Sequence, residues 1–212
     1  MASSSTSSIH KSFKYDVFLS FRGEDTRKNF VDHLYYALQQ KRIHTYKDDE
    51  RIEKGVRISD QLMRSIEDSR FHVIIFSKNF AFSSWCLEKL VTIMECQKTH
   101  EQTAYPAFYD VESSEVRKQI GEFGKVYAEH NEKKAAAGKW RKALEEAANL
   151  GGWELKNTAD GSVNPTHILI EFLDLHFCPQ RSEQEIRFFT EIVTWSETFV
   201  HEATYKGRTK FA

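Results

Sequence analysis

The chain has 212 residues, 40% hydrophobic and 29% charged, and a formal net charge of −1. This balance is typical of a soluble globular domain with some additional chain, and it excludes a global basic field that would attract nucleic acid or an anionic membrane. No apolar run approaches the roughly 20 residues that span a bilayer, and the three cysteines have no zinc or disulfide spacing. We therefore expect a soluble protein with reduced thiols and without a metal, located in the cytoplasm or the nucleus.

The chain begins with a serine-rich segment, residues 1–13, that has no apolar core and predicts a disordered leader. From residue 14 onward, short β-rich runs alternate with segments of helical periodicity. The runs that predict strands are 15–21, 42–46, 71–76 and 103–109, followed by the short run 151–155. Pro106 lies inside the fourth run and lacks a ladder donor, so we expect a strand start or an interrupted pairing there.

Apolar residues at helical spacing predict a helix after each strand. The markers of these helices are, in chain order, Phe30 and Leu34; Ile58 and Leu62; Leu87 and Leu90; Val116, Ile120, Phe123 and Tyr127 in one helix; and Trp140 and Leu144. About five strand–helix repeats predict an α/β fold with a parallel sheet and helices on both faces. Because ligands bind at the carboxyl ends of such strands, the loops of interest are 21–27, 47–56, 77–85 and 110–114.

The first of these loops, "FRGEDTR", combines backbone freedom with charge. Gly23 permits a tight turn, and Arg22 and Arg27 could meet an anion. Asp25 or Thr26 could cap the following helix. A capped, solvated turn is the simpler interpretation of these residues, and a solvated connection is the simpler interpretation of the charged run 47–55.

Five successive segments together resemble the plant TIR (Toll/interleukin receptor) domain: "YDVFLSFRGEDTRKNFVDHLYYAL", "DDERIEKG", "FSKNFAFSSWCLEKL", "FYDVESSEVRKQIGEFG" and "WRKALEEAANLGGWEL". The resemblance runs in order through residues 14–161, about three quarters of the chain. It implies a flavodoxin-like sheet of five parallel strands in the order 2-1-3-4-5. It also implies plant innate-immunity signal transduction through self-association, with cleavage of NAD⁺ between nicotinamide and ribose.

The resemblance places the family's catalytic glutamate in a W-C-L-x-E-L pattern. In this chain that position is Lys89, and the nearest carboxylate is Glu88. Successive helical side chains are about 100° apart, and the apolar stripe that includes Leu90 fixes the buried face. Position 89 then shares a flank with Cys86 and faces the cleft, whereas Glu88 projects with Trp85.

A lysine has the wrong charge for this chemistry, because bond cleavage develops positive charge on the ribose. We therefore expect impaired hydrolysis, with NAD⁺ as a substrate or a ligand and no tightly bound cofactor. The alternative is an active NAD⁺ nucleosidase of the ADP-ribosyl cyclase or hydrolase type that uses Glu88 or another group. A third interpretation is a plain helix start capped by Ser83 or Ser84. The resemblance further implies nucleotide-binding positions at Phe21, Arg22, Gly23, Asp48, Ser84, Trp85 and Cys86.

The resemblance also implies partner surfaces, and we expect association with TIR domains or TIR-containing resistance receptors. One surface would use the helix near 26–40 with Asp32 and His33, and the helix near 139–149 with Trp140. A second would use the helix around 115–130 and the loop 121–124, where Gly124 would allow a close approach. A solvated helix residue remains an alternative for His33, and solvated helix ends explain the basic run 133–142 better than nucleic-acid binding does.

Two segments depart from the resemblance. In "YDVESSEVR", Ser113 stands where the family has proline, and we expect Ser114 to cap the next helix with Glu115 in its first turn. After residue 161 the match breaks, which predicts an atypical insertion at 162–184, either translated intron sequence or a packed helix. Residues 185–212 are then expected to contain a last helix and a tail.

Overall fold

The computed structural model describes residues 12–48, 58–99, 102–129 and 134–155. The predictions for the leader's residues 1–11, for most of the loop 47–56, for the insertion 162–184 and for the segment 185–212 lie outside the described residues.

Five strands form one parallel sheet in the order β2-β1-β3-β4-β5, as predicted. The strands are β1 (Tyr15–Ser20), β2 (Thr45–Lys47), β3 (Ser69–Phe76), β4 (Thr103–Tyr109) and β5 (Trp153–Leu155). Residues 71–76 of β3 are all buried. Because successive side chains of a strand point to opposite faces, both faces of the sheet are covered, which explains the nearly continuous apolar run.

Helices connect the strands: α1 (Gly23–Thr26), α2 (Asp32–Gln40), α3 (Ile58–Glu67), α4 (Ser84–Lys98), α5 (Ser113–Lys118), α6 (Glu122–Glu129) and α7 (Lys134–Ala148). A π-helical segment, Arg27–Val31, joins α1 to α2, and a short 3₁₀ helix, Phe80–Phe82, precedes α4. The single helix predicted through 116–127 is wrong. Gln119 (φ 53°) and Gly121 (φ 60°) adopt the left-handed conformation between α5 and α6, a backbone state that ends a helix.

The main core lies between the sheet and the helices α3, α4, α5, α6 and α7. Trp140 of α7 belongs to this core and is only 2% exposed. The prediction of Trp140 as an interface residue is therefore wrong: the indole shares the apolar stripe of α7 with Leu144 and Ala147, which are fully buried.

Pro106 lies within β4 and pairs in register with Ile74 of β3. The strand does not start at the proline, but the ladder to β5 begins only at the next residue, where Ala107 is paired with Trp153. The prediction of a strand start or an interrupted pairing at Pro106 is therefore wrong: the β3 ladder runs through the proline, and the β5 ladder begins where β5 itself begins. A methyl group added at Gly152 would lie 2.3 Å from the carbonyl oxygen of Pro106, so only glycine permits this approach.

Candidate functional site

The start of α4 meets the carboxyl end of β1. Ser83 caps the helix by accepting a hydrogen bond from the backbone N–H of Cys86 at 3.3 Å, as predicted. Leu87 and Leu90 are fully buried and fix the rotation of the helix. The flank that carries Cys86 and Lys89 therefore faces β1. The thiol Sγ and the ammonium Nζ each lie 3.5 Å from the carbonyl oxygen of Phe21.

Lys89 makes a buried ion pair that the sequence reasoning missed. Its Nζ lies 2.5 Å from Oδ2 of Asp48, and the two side chains are 1% and 17% exposed. An ammonium removed from water is tolerated only when it is paired and hydrogen-bonded. Asp48, immediately after β2, thus explains how a lysine can occupy this position in α4.

The structure brings together four residues of the predicted site: Phe21, Asp48, Cys86 and Lys89. Glu88 is half-buried and is turned about 100° away from Lys89 around the helix. The remaining predicted residues of α4, Ser84 and Trp85, are also half-buried, and Trp85 packs against the main core.

Burial raises the pKa of the Cys86 thiol, and the positive charge of Lys89 opposes this effect only in part. The thiolate, not the thiol, is the reactive form of cysteine. Cys86 therefore stays protonated near neutral pH and provides no nucleophile to the site.

Asp25 connects the loops that follow β1 and β3. Its carboxylate accepts hydrogen bonds from the hydroxyl of Ser77 at 2.6 Å and from the backbone N–H of Asn79 at 3.0 Å. It also lies 3.5 Å from the Nε of Arg22. The prediction that Asp25 or Thr26 caps the first helix is wrong, because Arg22 occupies the N-cap position without a side-chain bond.

Gly23 makes room for an arginine. A methyl group at Gly23 would lie 2.6 Å from Nη2 of Arg27, whose guanidinium carbon is 5.7 Å from the ring centre of Phe21. This distance allows a cation–π contact. The second arginine of the loop, Arg22, is paired with Glu24. The charges of this loop are therefore engaged in contacts within the chain.

A fully buried hydroxyl at the end of β1 is a further feature that the sequence reasoning missed. Ser20 is 0% exposed, and its Oγ has no hydrogen-bond partner among the residues that the structure describes. Alternation along β1 places it on the same face as Phe18, the face that α4 covers. A polar residue at the end of an apolar strand is the sequence signal for this feature.

The predicted partner surfaces differ in their exposure. On α2, His33 is exposed and Tyr36 is 60% exposed, while Asp32 is hydrogen-bonded by Lys47 at 2.9 Å. Gly124 is half-buried, and an added methyl group would lie 2.7 Å from the carbonyl oxygen of Gln119. The close approach that Gly124 permits is therefore made within the chain.

The turn after β4 corrects another prediction. Glu112, not Ser114, is the N-cap of α5, and it forms a reciprocal capping box with Glu115. Such a box satisfies two of the helix's unpaired N–H groups.

In the part of the chain that the structure describes, we find no helix with both the length and the apolarity that crossing a membrane requires.

Comparison with known proteins identifies the family. The model of the TIR domain family matches residues 14–174. The disease resistance protein RPV1 of Vitis rotundifolia is 54% identical over 155 residues, which cover 73% of this chain and 11% of the relative. The TMV resistance protein N of Nicotiana glutinosa is 51% identical over 156 residues, which cover 72% and 13%. The chain thus spans a small fraction of the length of these curated relatives.

The fold comparison agrees with the sequence comparison. The TIR domains in a structure of the activated Roq1 resistosome are 46% identical to this chain, with a TM-score of 0.69, and the match covers 77% of this chain and 99% of that one. The family match ends inside 162–184, so the boundary at 161 and the insertion stay predictions. The chain belongs to the TIR domain family, and its curated relatives are plant disease resistance proteins.

Proposed function

We propose that the chain acts in plant innate-immunity signalling through association with other TIR domains, and that its NAD⁺ hydrolysis is impaired. The observation that supports impaired hydrolysis is the buried ion pair of Lys89. By the resemblance, Lys89 stands at the position of the family's catalytic glutamate. Its side chain is 1% exposed, and it is paired with Asp48 at 2.5 Å.

The chemistry explains why this pair impairs the reaction. Cleavage of the nicotinamide–ribose bond develops positive charge on the ribose, and a nearby carboxylate stabilises that charge. Lys89 removes one carboxylate and neutralises a second, that of Asp48. Two unit charges 4 Å apart interact by about 1 kcal/mol even in bulk water and by more in a partly buried site. The ammonium therefore opposes the transition state.

Glu88 is the residue on which the alternative, an active nucleosidase, would depend. A rotation of α4 that brought Glu88 to the place of Lys89 would move Leu87 and Leu90 out of the core, where both are fully buried. Exposing each leucine costs about 1.5–3 kcal/mol. The register of α4 therefore favours the impaired form.

Changing Lys89 to glutamate is expected to raise NAD⁺ consumption at least about tenfold, because a gain of 1.4 kcal/mol in transition-state stabilisation suffices for that. The measurement is nicotinamide release by concentrated native protein and by Lys89→Glu, with thermal melting as a check of folding. Asp48→Asn/Lys89→Glu serves as a second variant, because it avoids two adjacent carboxylates.

The matched control for this assay is Glu88→Gln, one residue away on the same helix. It should leave the slow native rate unchanged. If the native protein turns over NAD⁺ as fast as the Lys89→Glu variants, and Glu88→Gln abolishes that activity, the chain is the active nucleosidase of the alternative.

Association through α2 has its own test. His33 and Tyr36 are one helical turn apart and both exposed, and aromatic side chains are enriched among residues that dominate interface energies. If His33 is one of the few residues that dominate the interface, His33→Ala should weaken self-association about tenfold, since truncating such a residue costs more than about 1 kcal/mol. Light scattering over a concentration series measures it. Glu95→Ala, an exposed change on α4, should have no effect, and equal effects of both changes would exclude α2 as the interface.

A further inference from the structure

We propose that Asp48 is a masked cation site. The ammonium of Lys89 occupies the place at which the Asp48 carboxylate would otherwise hold an external cation, so the native chain has no preference for cationic over neutral pyridine ligands. The inference concerns the site of the proposed function and rests on it for the ligand class. It goes beyond impaired hydrolysis, because it assigns the loss of cation recognition to one ion pair that can be dissected.

The exposure of the two partners is asymmetric. The side chain of Asp48 is 17% exposed and that of Lys89 is 1% exposed. A molecule that arrives from solvent would therefore meet the carboxylate and not the ammonium. The Asp48 side chain is partly accessible, and its charge is compensated from inside the protein by the ammonium of Lys89, which cannot be displaced without breaking buried contacts.

Oxygen atoms line the place of the ammonium. Nζ of Lys89 contacts the carboxylate of Asp48 and, at 3.5 Å, the carbonyl oxygen of Phe21. The cap at Ser83 and the buried Leu90 hold α4 in position, so the ammonium is delivered to a fixed point. Shortening or neutralising the side chain at position 89 would leave these oxygens without their cation.

Ser20 supplies an independent observation at the same end of β1. Its hydroxyl is fully buried and has no hydrogen-bond partner within the described part of the chain. Leaving a buried polar group without a hydrogen bond is unfavourable, and such groups call for an explanation. It lies one residue before Phe21, on the face covered by α4. A buried hydroxyl without a hydrogen-bond partner at this end of β1 fits the binding of a ligand or a water molecule.

The test compares a cationic and a neutral probe of the same shape. N1-methylnicotinamide and nicotinamide are titrated by NMR into the native chain, Lys89→Met and Asp48→Asn/Lys89→Met. Lys89→Met should prefer the cation about tenfold or more, since it exposes one unpaired carboxylate to it. The native chain and the double variant should show no preference. A Lys89→Met variant without cation preference, or a double variant that keeps it, would overturn the proposal.

Folding is controlled within the same series. The double variant replaces the ion pair by neutral side chains of similar size, a change that proteins tolerate well, and Lys89→Gln carries the same test if Lys89→Met does not fold. No turnover is measured, so failure here is distinct from failure of the proposed function. Turnover of NAD⁺ by the native protein would refute the proposal of impaired hydrolysis. Only the preference between the cationic and the neutral probe tests the masked cation site.

Discussion

Changing Gly152 to alanine is expected to lower the free energy of unfolding by about 3 kcal/mol, at the upper end of the effects of overpacking. The added methyl group would lie 2.3 Å from the carbonyl oxygen and 2.7 Å from the Cγ of Pro106. Both atoms belong to β4, whose other edge is held by β3. The added methyl group therefore clashes with a strand that cannot move without disturbing its pairing with β3. Urea denaturation followed by tryptophan fluorescence measures the change.

Gly151 provides a matched control next to it. No atom lies within 4 Å of a methyl group added at Gly151, and among the described glycines only Gly121 has a positive φ. Gly151→Ala should therefore change stability by no more than about 0.5 kcal/mol. If both substitutions are tolerated equally, the close approach of residue 152 to β4 is not the reason why this residue is glycine.

The fold could be predicted from the sequence because its determinants are local and repeated. Alternating strands and amphipathic helices indicate a parallel α/β sheet. The predictions fail where the conformation of a single residue determines the local structure. Val116, Ile120 and Phe123 have helical spacing, but the left-handed Gln119 separates two helices and leaves Ile120 51% exposed. Left-handed backbone at a non-glycine residue has no strong sequence signal.

The resemblance assigns Trp140 to an interface, although the apolar residues around it in the sequence favour burial. It shares one helical stripe with Leu144 and Ala147, and that stripe packs into the core. The apolar periodicity was the better guide, because a helix buries its apolar face against its own domain before it presents polar residues to a partner.

The site could be predicted in part, because the local spacing of apolar residues fixes the rotation of a helix. Two buried leucines fix the rotation of α4 and put position 89 on the cleft flank with Cys86. The partner of Lys89 could not be found in this way. Asp48 is 41 positions away in the chain, and the pair forms only because β2 lies beside β1 at one edge of the sheet. Asp25 similarly binds groups 52 and 54 positions away.

The Asp48–Lys89 pair is expected to behave as a coupled unit in unfolding. Lys89→Met and Asp48→Asn should each lower the free energy of unfolding by about 2–3 kcal/mol, somewhat below the 3–5 kcal/mol of a fully buried pair, because each leaves an uncompensated charge. Asp48 retains 17% exposure, which reduces the penalty. The double variant should lose only about 1 kcal/mol, so the two effects should be far from additive.

The ion pair between Lys98 of α4 and Glu146 of α7 is the matched control, with a similar separation of 3.0 Å but side chains 56% and 30% exposed. Exposed pairs contribute about 0–1 kcal/mol, so Lys98→Met should cost about 0.5 kcal/mol or less. Additive single effects at Asp48 and Lys89 would contradict a coupled pair. A loss at Lys89 as small as that at Lys98 would mean that water stabilises the unpaired carboxylate of Asp48, and that the two residues do not form a buried, coupled pair.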